Sequence, residues 1–185
     1  MEEISKDVLS RASKGDTKAF EMIYEATSGL VYNTALRITN NPDDAKDVTQ
    51  DVFMKIYRNL DQFRLQSSFK TWVYRITVNT AINTRRGMAR EMDRRDDGSS
   101  LIDQYASITE PSVDKGDHEK LITSLLELLN PDQRACIVLR EIEGLNYREI
   151  SEVLKININT VRSRLKRARE TLLACKGREV MKNEM

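Results

Sequence analysis

The chain has 185 residues, enough for one ordinary domain or two small ones. Charged residues make up 32% of it, yet the formal net charge is only +1; this excludes a uniformly basic nucleic-acid coat and confines any polyanion binding to local patches. A single histidine and two cysteines without metal-ligand spacing argue against a zinc site. The lack of a signal peptide or a long apolar run sets the expectation of a cytoplasmic protein with reduced thiols and no membrane insertion. Few glycines and prolines occur, so each one punctuates. Lys14-Gly15-Asp16 closes a first helix and offers Asp16 as the next N-cap, and Asn40-Asn41-Pro42 closes the following helix and starts another. The helix from Pro42 to about Leu60 buries Ala45, Val48, Val52, Phe53 and Ile56. It leaves Asp44, Asp47 and Asp51 as an acidic stripe, with Gln50 and Met54 beside it. The helix dipole accounts for Asp43 and Asp44 in the first turn, but not for Asp47 and Asp51, a face suited to a partner's basic helix.

Thr71 to Ile82 is rich in β-branched residues, but Phe69, Trp72, Val73, Ile76 and Thr80 follow helical spacing. Beside that stripe runs a polar row of Arg75, Asn79 and Arg86, with Asn83 at its margin and Trp72 and Tyr74 close by. Amide and guanidinium groups with aromatic rings suit unpaired bases, which stack on rings and bond along their edges, although Trp72 taken alone fits a core. Between about Asp93 and Asp117 the periodicity dissolves into Arg94-Arg95-Asp96-Asp97-Gly98-Ser99-Ser100 and Thr109-Glu110-Pro111-Ser112, a polar, turn-forming linker.

Periodicity then returns. Leu121, Leu125 and Leu128 form one stripe, and Ala135, Val138, Leu139 and Ile142 a second; Ile150, Val153 and Leu154 form a third, facing Val161 and Leu165. Asn130-Pro131 starts one helix, Gly144 ends it, and Asn146 with Glu149 has the spacing of a capping box. Residues 147–172 make two amphipathic helices joined by a tight turn, the pattern of a helix-turn-helix. Val161, Leu165, Ala168 and Leu172 anchor one face of the second helix. Ser163, Lys166 and Arg167 point the other way, with Arg162 and Arg169 on the flank. From Lys155 to Arg178 there are eight basic residues against Glu170 alone, a clustering that favours an opposing polyanion and fits a DNA major groove. The fold class expected is all-α: a helical domain over 1–92, a flexible linker over 93–117, a helix-turn-helix domain over 118–176 and a frayed tail over 177–185.

Three functions compete on these residues alone. A DNA-binding protein that also docks a partner on the acidic stripe uses the basic helix; a conventional helix-turn-helix repressor or activator, its N-terminal domain serving for dimerisation or ligand sensing, uses it too, but leaves the acidic stripe and the arginine–asparagine row without work. A helical module that only titrates a regulator leaves the Arg162 to Arg169 cluster unexplained. No phosphate loop, nucleophile–base pair or metal set is present, so no catalytic residue, cofactor or small-molecule substrate is expected.

Three blocks in register carry a resemblance that covers nearly the whole chain apart from the linker and the ends: Asp43 through Phe53, Ser68 through Thr80, and Leu129-Asn130-Pro131 through Arg164. Together they resemble bacterial RNA polymerase sigma factors of the extracytoplasmic-function (ECF) type. The resemblance implies a dissociable subunit that binds core RNA polymerase and promoter DNA, held in check by an anti-sigma partner. It implies that Asp44, Asp47, Gln50 and Asp51 grip the polymerase. It places capture and melting of the −10 element at Gln66, Ser67, Trp72, Arg75, Asn79 and Asn83, and reading of the −35 element at Arg162, Ser163, Lys166 and Arg167. The chain departs from the family pattern at Asp51, where glutamate is usual, at Leu65 and Lys155, where glycine is frequent, and at Ser151, where alanine is common.

Overall fold

Most helices begin where a short polar side chain accepts the first free backbone N–H groups, and those caps set the element boundaries. The computed structural model describes residues 4–64, 67–95 and 115–183. Ser5 caps α1 (Lys6–Ser13), Asp16 caps α2 (Thr17–Thr39), and Asn41 caps α3 (Pro42–Asn59) with Pro42 at its first position. Gly15 takes the left-handed φ of +90° that lets α1 and α2 fold back on each other, and Asn40 does the same for α2 and α3 at φ 57°. A 3-10 turn, Leu60–Gln62, precedes α4 (Phe69–Arg95). The second half comprises α5 (Lys115–Glu127), α6 (Pro131–Ile137) running into a π-helical turn at Val138–Ile142, α7 (Tyr147–Leu154) and α8 (Ile158–Asn183).

Helix α2 packs against α1, α3 and α4, and its Ile23, Val31, Ala35 and Ile38 are fully buried together with Val48, Val52 and Ile56 of α3 and Val73, Val78 and Ala81 of α4. Each of the valines and isoleucines contributes about 1.5–3 kcal/mol by leaving water, and the alanines less. The β-branched run in α4 is helical because its threonines find local partners: Thr77 donates to the Val73 carbonyl at 2.9 Å and Thr80 to that of Ile76 at 2.8 Å. In the second half Ala135, Val138, Leu139, Ile150, Val153, Val161, Leu165 and Ala168 are buried, as their spacing predicts.

Three differences from the sequence reading appear. Helix α4 persists to Arg95 and α5 begins at Lys115, so helix enters both ends of the 93–117 segment, whose remainder, 96–114, lies outside the described residues. Helix α8 continues through the expected tail to Asn183, since Glu179, Val180, Met181 and Lys182 include no breaker. The two halves also pack on one another, α4 against α6 and α7, and their buried residues form one contiguous cluster.

The helix-turn-helix turn carries a measurable strain. Lys155 occupies the left-handed region at φ 52°, ψ 45°, where a side chain costs about 1 kcal/mol relative to glycine. Lys155→Gly is therefore expected to stabilise the protein by about that amount and to raise Tm by about 2–4 °C in a thermal melt. The thiols differ as well. Cys136 is fully buried and its thiol is pushed up to about 11 by burial, whereas Cys175 is partly exposed. Native alkylation with iodoacetamide at neutral pH is expected to modify Cys175 and leave Cys136 intact until the chain is unfolded, as intact mass would show.

Candidate nucleic-acid and partner interfaces

Helix α7 is built to hold α8. The Asn146 side chain accepts from the backbone N–H of Arg148 (2.9 Å) and of Glu149 (3.0 Å), while the Glu149 carboxylate accepts from the Asn146 N–H (2.7 Å), completing the capping box. In the turn, the Ser151 hydroxyl donates to the Ile156 carbonyl at 2.6 Å, and Asn157 starts α8 by accepting from the Asn159 N–H at 2.8 Å. With Val161, Leu165 and Ala168 buried, Arg162, Ser163, Lys166 and Arg167 stand exposed on one surface. Flanking cations are tied down: Arg164 to Asp132 (3.1 Å) and Arg169 to Glu141 (2.6 Å), a bond that raises the Arg169 pKa. Among the described residues no acid pairs with Arg162 or Arg167.

The second surface lies where α3 and α4 meet. Phe63, Phe69 and Trp72 pack edge-to-face and tilted into a triad with ring centroids 5.3–5.7 Å apart, which anchors both ends of the loop before α4. Ser67 in that loop is half-buried; Gln66 lies outside the described residues. A cleft of about 380 Å³ is lined by Trp72, Asn79 and Asn83 from α4 and by Lys55, Asn59 and Gln62, with Lys55 Nζ donating to Thr80 Oγ1 at 2.9 Å. Amide groups thus converge from two helices beside an indole edge. The α3 contributors escape a sequence reading because their partners are more than ten residues away, although Lys55 and Asn59 share one face of α3. Two members of the expected row, Arg75 and Arg86, turn elsewhere, as does Tyr74 beside it; Arg86 pairs with Asp132 at 2.6 Å. Arg75 Nε donates to the Glu152 carbonyl at 3.2 Å, and Tyr74 is fully buried with its hydroxyl donating to Glu143. Residues 72 and 74 lie about 200° apart around a helix, so Trp72 and Tyr74 cannot share a face.

The third surface is on α3. Asp47, Gln50 and Asp51 are exposed and Asp44 is half-exposed; Asp43 pairs with Lys46 at 2.9 Å, whereas no described cation pairs with Asp47 or Asp51. Next to this stripe α2 and α3 enclose an open groove of about 1120 Å³ walled by Phe20, Tyr24, Phe53, Met54 and Tyr57. Its aromatic pairs, Phe20–Tyr57 at 5.1 Å and Tyr24–Phe53 at 4.5 Å, each join i and i+4 residues of one helix to those of the other. Tyr57 is 55% exposed and Met54 44%, so the groove is an uncovered apolar face.

Two family models match this architecture, sigma-70 region 2 over residues 23–91 and sigma-70 region 4 over residues 119–172. The ECF RNA polymerase sigma-E factor of Haemophilus influenzae is 34% identical over 175 residues, covering 89% of this chain and 91% of that protein. This chain is an ECF sigma factor. The sigma-E factor of Escherichia coli K12 is 35% identical over 180 residues, 92% of this chain and 94% of its own length. Among solved structures, CnrH in complex with the cytosolic domain of CnrY matches with a TM-score of 0.64 at 25% identity, over 94% of this chain and 97% of that one. The sigma factor RpoE in complex with the anti-sigma factor NepR from Bartonella quintana matches with a TM-score of 0.64 at 27% identity, over 84% and 94%. The region 2 match spans most of α2, all of α3 and most of α4, hence the cleft and the acidic stripe, and the region 4 match ends within α8 after its exposed cationic face. Promoter recognition on behalf of core RNA polymerase is therefore the function of this sigma factor, and among the described residues no helix is long and apolar enough to cross a membrane.

Proposed function

We propose a division of labour among the three surfaces. Arg162, Ser163, Lys166 and Arg167 of α8 enter the major groove of the −35 element. Trp72, Asn79 and Asn83, with Lys55, Asn59 and Gln62, form the cleft that takes an unstacked base of the −10 element, with Ser67 in the loop before α4. Asp44, Asp47, Gln50 and Asp51, with the aromatic groove beside them, receive a basic amphipathic helix of core polymerase. The observation that carries this reading is the cationic face of α8, raised on a buried Val161–Leu165–Ala168 seam with two guanidiniums that no described acid neutralises. The chain acts as an initiation factor rather than an enzyme, in the cytoplasm, and an anti-sigma protein is its natural antagonist. Support for that partner comes from the solved relative bound to an anti-sigma factor.

With only local basic patches, the isolated chain is expected to bind duplex DNA weakly and with strong salt dependence. Tethering two modest sites through polymerase raises the effective concentration of each at the other. The test is co-elution with bacterial core polymerase followed by run-off transcription from a genomic fragment library. Co-elution with new, specific start sites is the expected result. Tight duplex binding without any affinity for core would replace this reading with that of a repressor or activator.

A further inference from the structure

Arg162, Lys166 and Arg169 recur at i, i+4 and i+7 along α8 and so share one face, which makes Arg169 the third member of a cationic row. Unlike the other two, Arg169 does not project freely. Its Nη2 donates to Glu141 Oε1 at 2.6 Å, with both side chains about half exposed. Glu141 and, to a lesser degree, Tyr147 raise the Arg169 pKa through their hydrogen bonds. The π-helical turn is what presents Glu141. The Glu143 N–H donates to the Val138 carbonyl at 3.0 Å, five residues back, so Val138–Ile142 makes a wider turn than an α-helix would. Arg140 fixes the segment that follows: its Nη1 donates to the Leu145 carbonyl at 2.9 Å, and its guanidinium lies 5.2 Å from the Tyr147 ring centroid. Such turns are uncommon and concentrate at functional positions. An exposed ion pair contributes little to stability, so folding alone leaves the Glu141–Arg169 bond little to do.

We propose that Glu141 restrains Arg169 and thereby holds down the chain's affinity for DNA outside its promoters, which makes Glu141 a specificity-determining residue that touches no base. Binding to unrelated duplex depends on how many cations reach phosphates, and an unaligned α8 can tilt to use whichever are free. With Arg169 held, the row offers Arg162 and Lys166 but not its third cation. On the −35 element, base contacts from Arg162, Ser163 and Arg167 fix the helix in one orientation, so a released Arg169 gains less there. The difference matters because non-promoter sites vastly outnumber promoters. The restraint has this effect only if α8 is the −35-binding helix proposed above.

The experiment measures binding of the full-length chain to a short duplex of random sequence across a salt series, by fluorescence anisotropy. Glu141→Gln keeps the side chain's shape and removes its charge. It is expected to bind about eightfold more tightly at ~0.1 M salt and to steepen the salt slope by about 0.9, the effect of one more phosphate contact. Adding Arg169→Gln to that variant is expected to return both values to those of wild type. Glu170→Gln makes the same change in net charge on α8 itself, where Lys166 is 3.8 Å away and both side chains are mostly exposed. Its expected effect is about twofold or less. No gain in Glu141→Gln, or an equal gain in Glu170→Gln, overturns the restraint. So does a gain that survives the added Arg169→Gln, since Glu141 would then act only by repelling phosphate. Run-off transcription with core polymerase supplies the second readout: with excess non-promoter DNA present, Glu141→Gln is expected to initiate severalfold less than wild type. Unchanged initiation under that competition overturns the specificity role. Arg167→Ala separates this inference from the reading beneath it. If α8 faces DNA, it weakens duplex binding in the wild-type and Glu141→Gln backgrounds alike. No weakening in either removes the α8 reading; weakening together with a silent Glu141→Gln removes only the restraint.

Discussion

Arg167→Ala is expected to lower initiation at promoters that depend on a −35 element by about tenfold to a hundredfold, with affinity for core polymerase unchanged. A bidentate arginine–base contact discriminates by about 1–3 kcal/mol, which corresponds to that range. Arg167 is the residue of choice because it stands exposed between the tied cations: Lys166 leans toward Glu170 at 3.8 Å and Arg169 is held by Glu141, whereas no described acid competes for Arg167. As a surface substitution far from the core it should shift stability by no more than about 0.5 kcal/mol. Arg167→Lys separates two roles. If Arg167 only neutralises a phosphate, lysine restores function; if its planar fork reads a base, lysine does not. Run-off transcription from a −35-dependent promoter, with a core-binding assay alongside, checks both. Equal loss of core affinity in Arg167→Ala would refute the assignment.

Asp47→Lys combined with Asp51→Lys is expected to reduce core polymerase affinity by about a hundredfold or more while leaving the helix intact. Placing like charges across an interface costs several kcal/mol in total, and lysine is a better helix former than aspartate, so folding is not the source of the loss. Both aspartates are exposed in the middle of α3, away from its cap, and neither is engaged in an ion pair with a described residue. Asp43→Lys is the control: Asp43 sits in the first turn beside Asn41 and already pairs with Lys46, so its reversal should touch helix stability more than core affinity. Wild-type binding should weaken as salt rises, and the residual binding of the double variant should not. Unchanged core affinity in the double variant would remove α3's acidic face from the polymerase interface.

Much of this molecule is legible in the sequence because the relevant forces are local. Caps at Asp16, Asn41 and Asn146 act within three residues, and the Val161–Leu165–Ala168 seam follows from helical period alone. The exposed cationic face of α8 is what that seam leaves over. Spacing fails at Tyr74, which sequence proximity set beside Trp72 and which the helix turns to the opposite side. It fails again at the α3–α4 cleft, where Lys55, Asn59 and Gln62 meet Asn79 and Asn83 only because two helices cross there.

The sequence by itself determined most helices with their caps, most of the seams they bury and the charge on the faces they leave exposed, since each of these depends on neighbours within one or two turns. It misplaced the ends of α4, α5 and α8, and where it set Leu121, Leu125 and Leu128 as a seam, Leu126 and Leu129 are the buried leucines. Tertiary structure alone decided which polar residues share a cleft, that Phe20 and Tyr24 complete a groove with Phe53 and Tyr57, and that Arg134 is buried against the end of α2. No local pattern marks those pairings. They arise when helices far apart in the chain are brought together by burial of their apolar faces, and burial carries no preference for a particular polar partner.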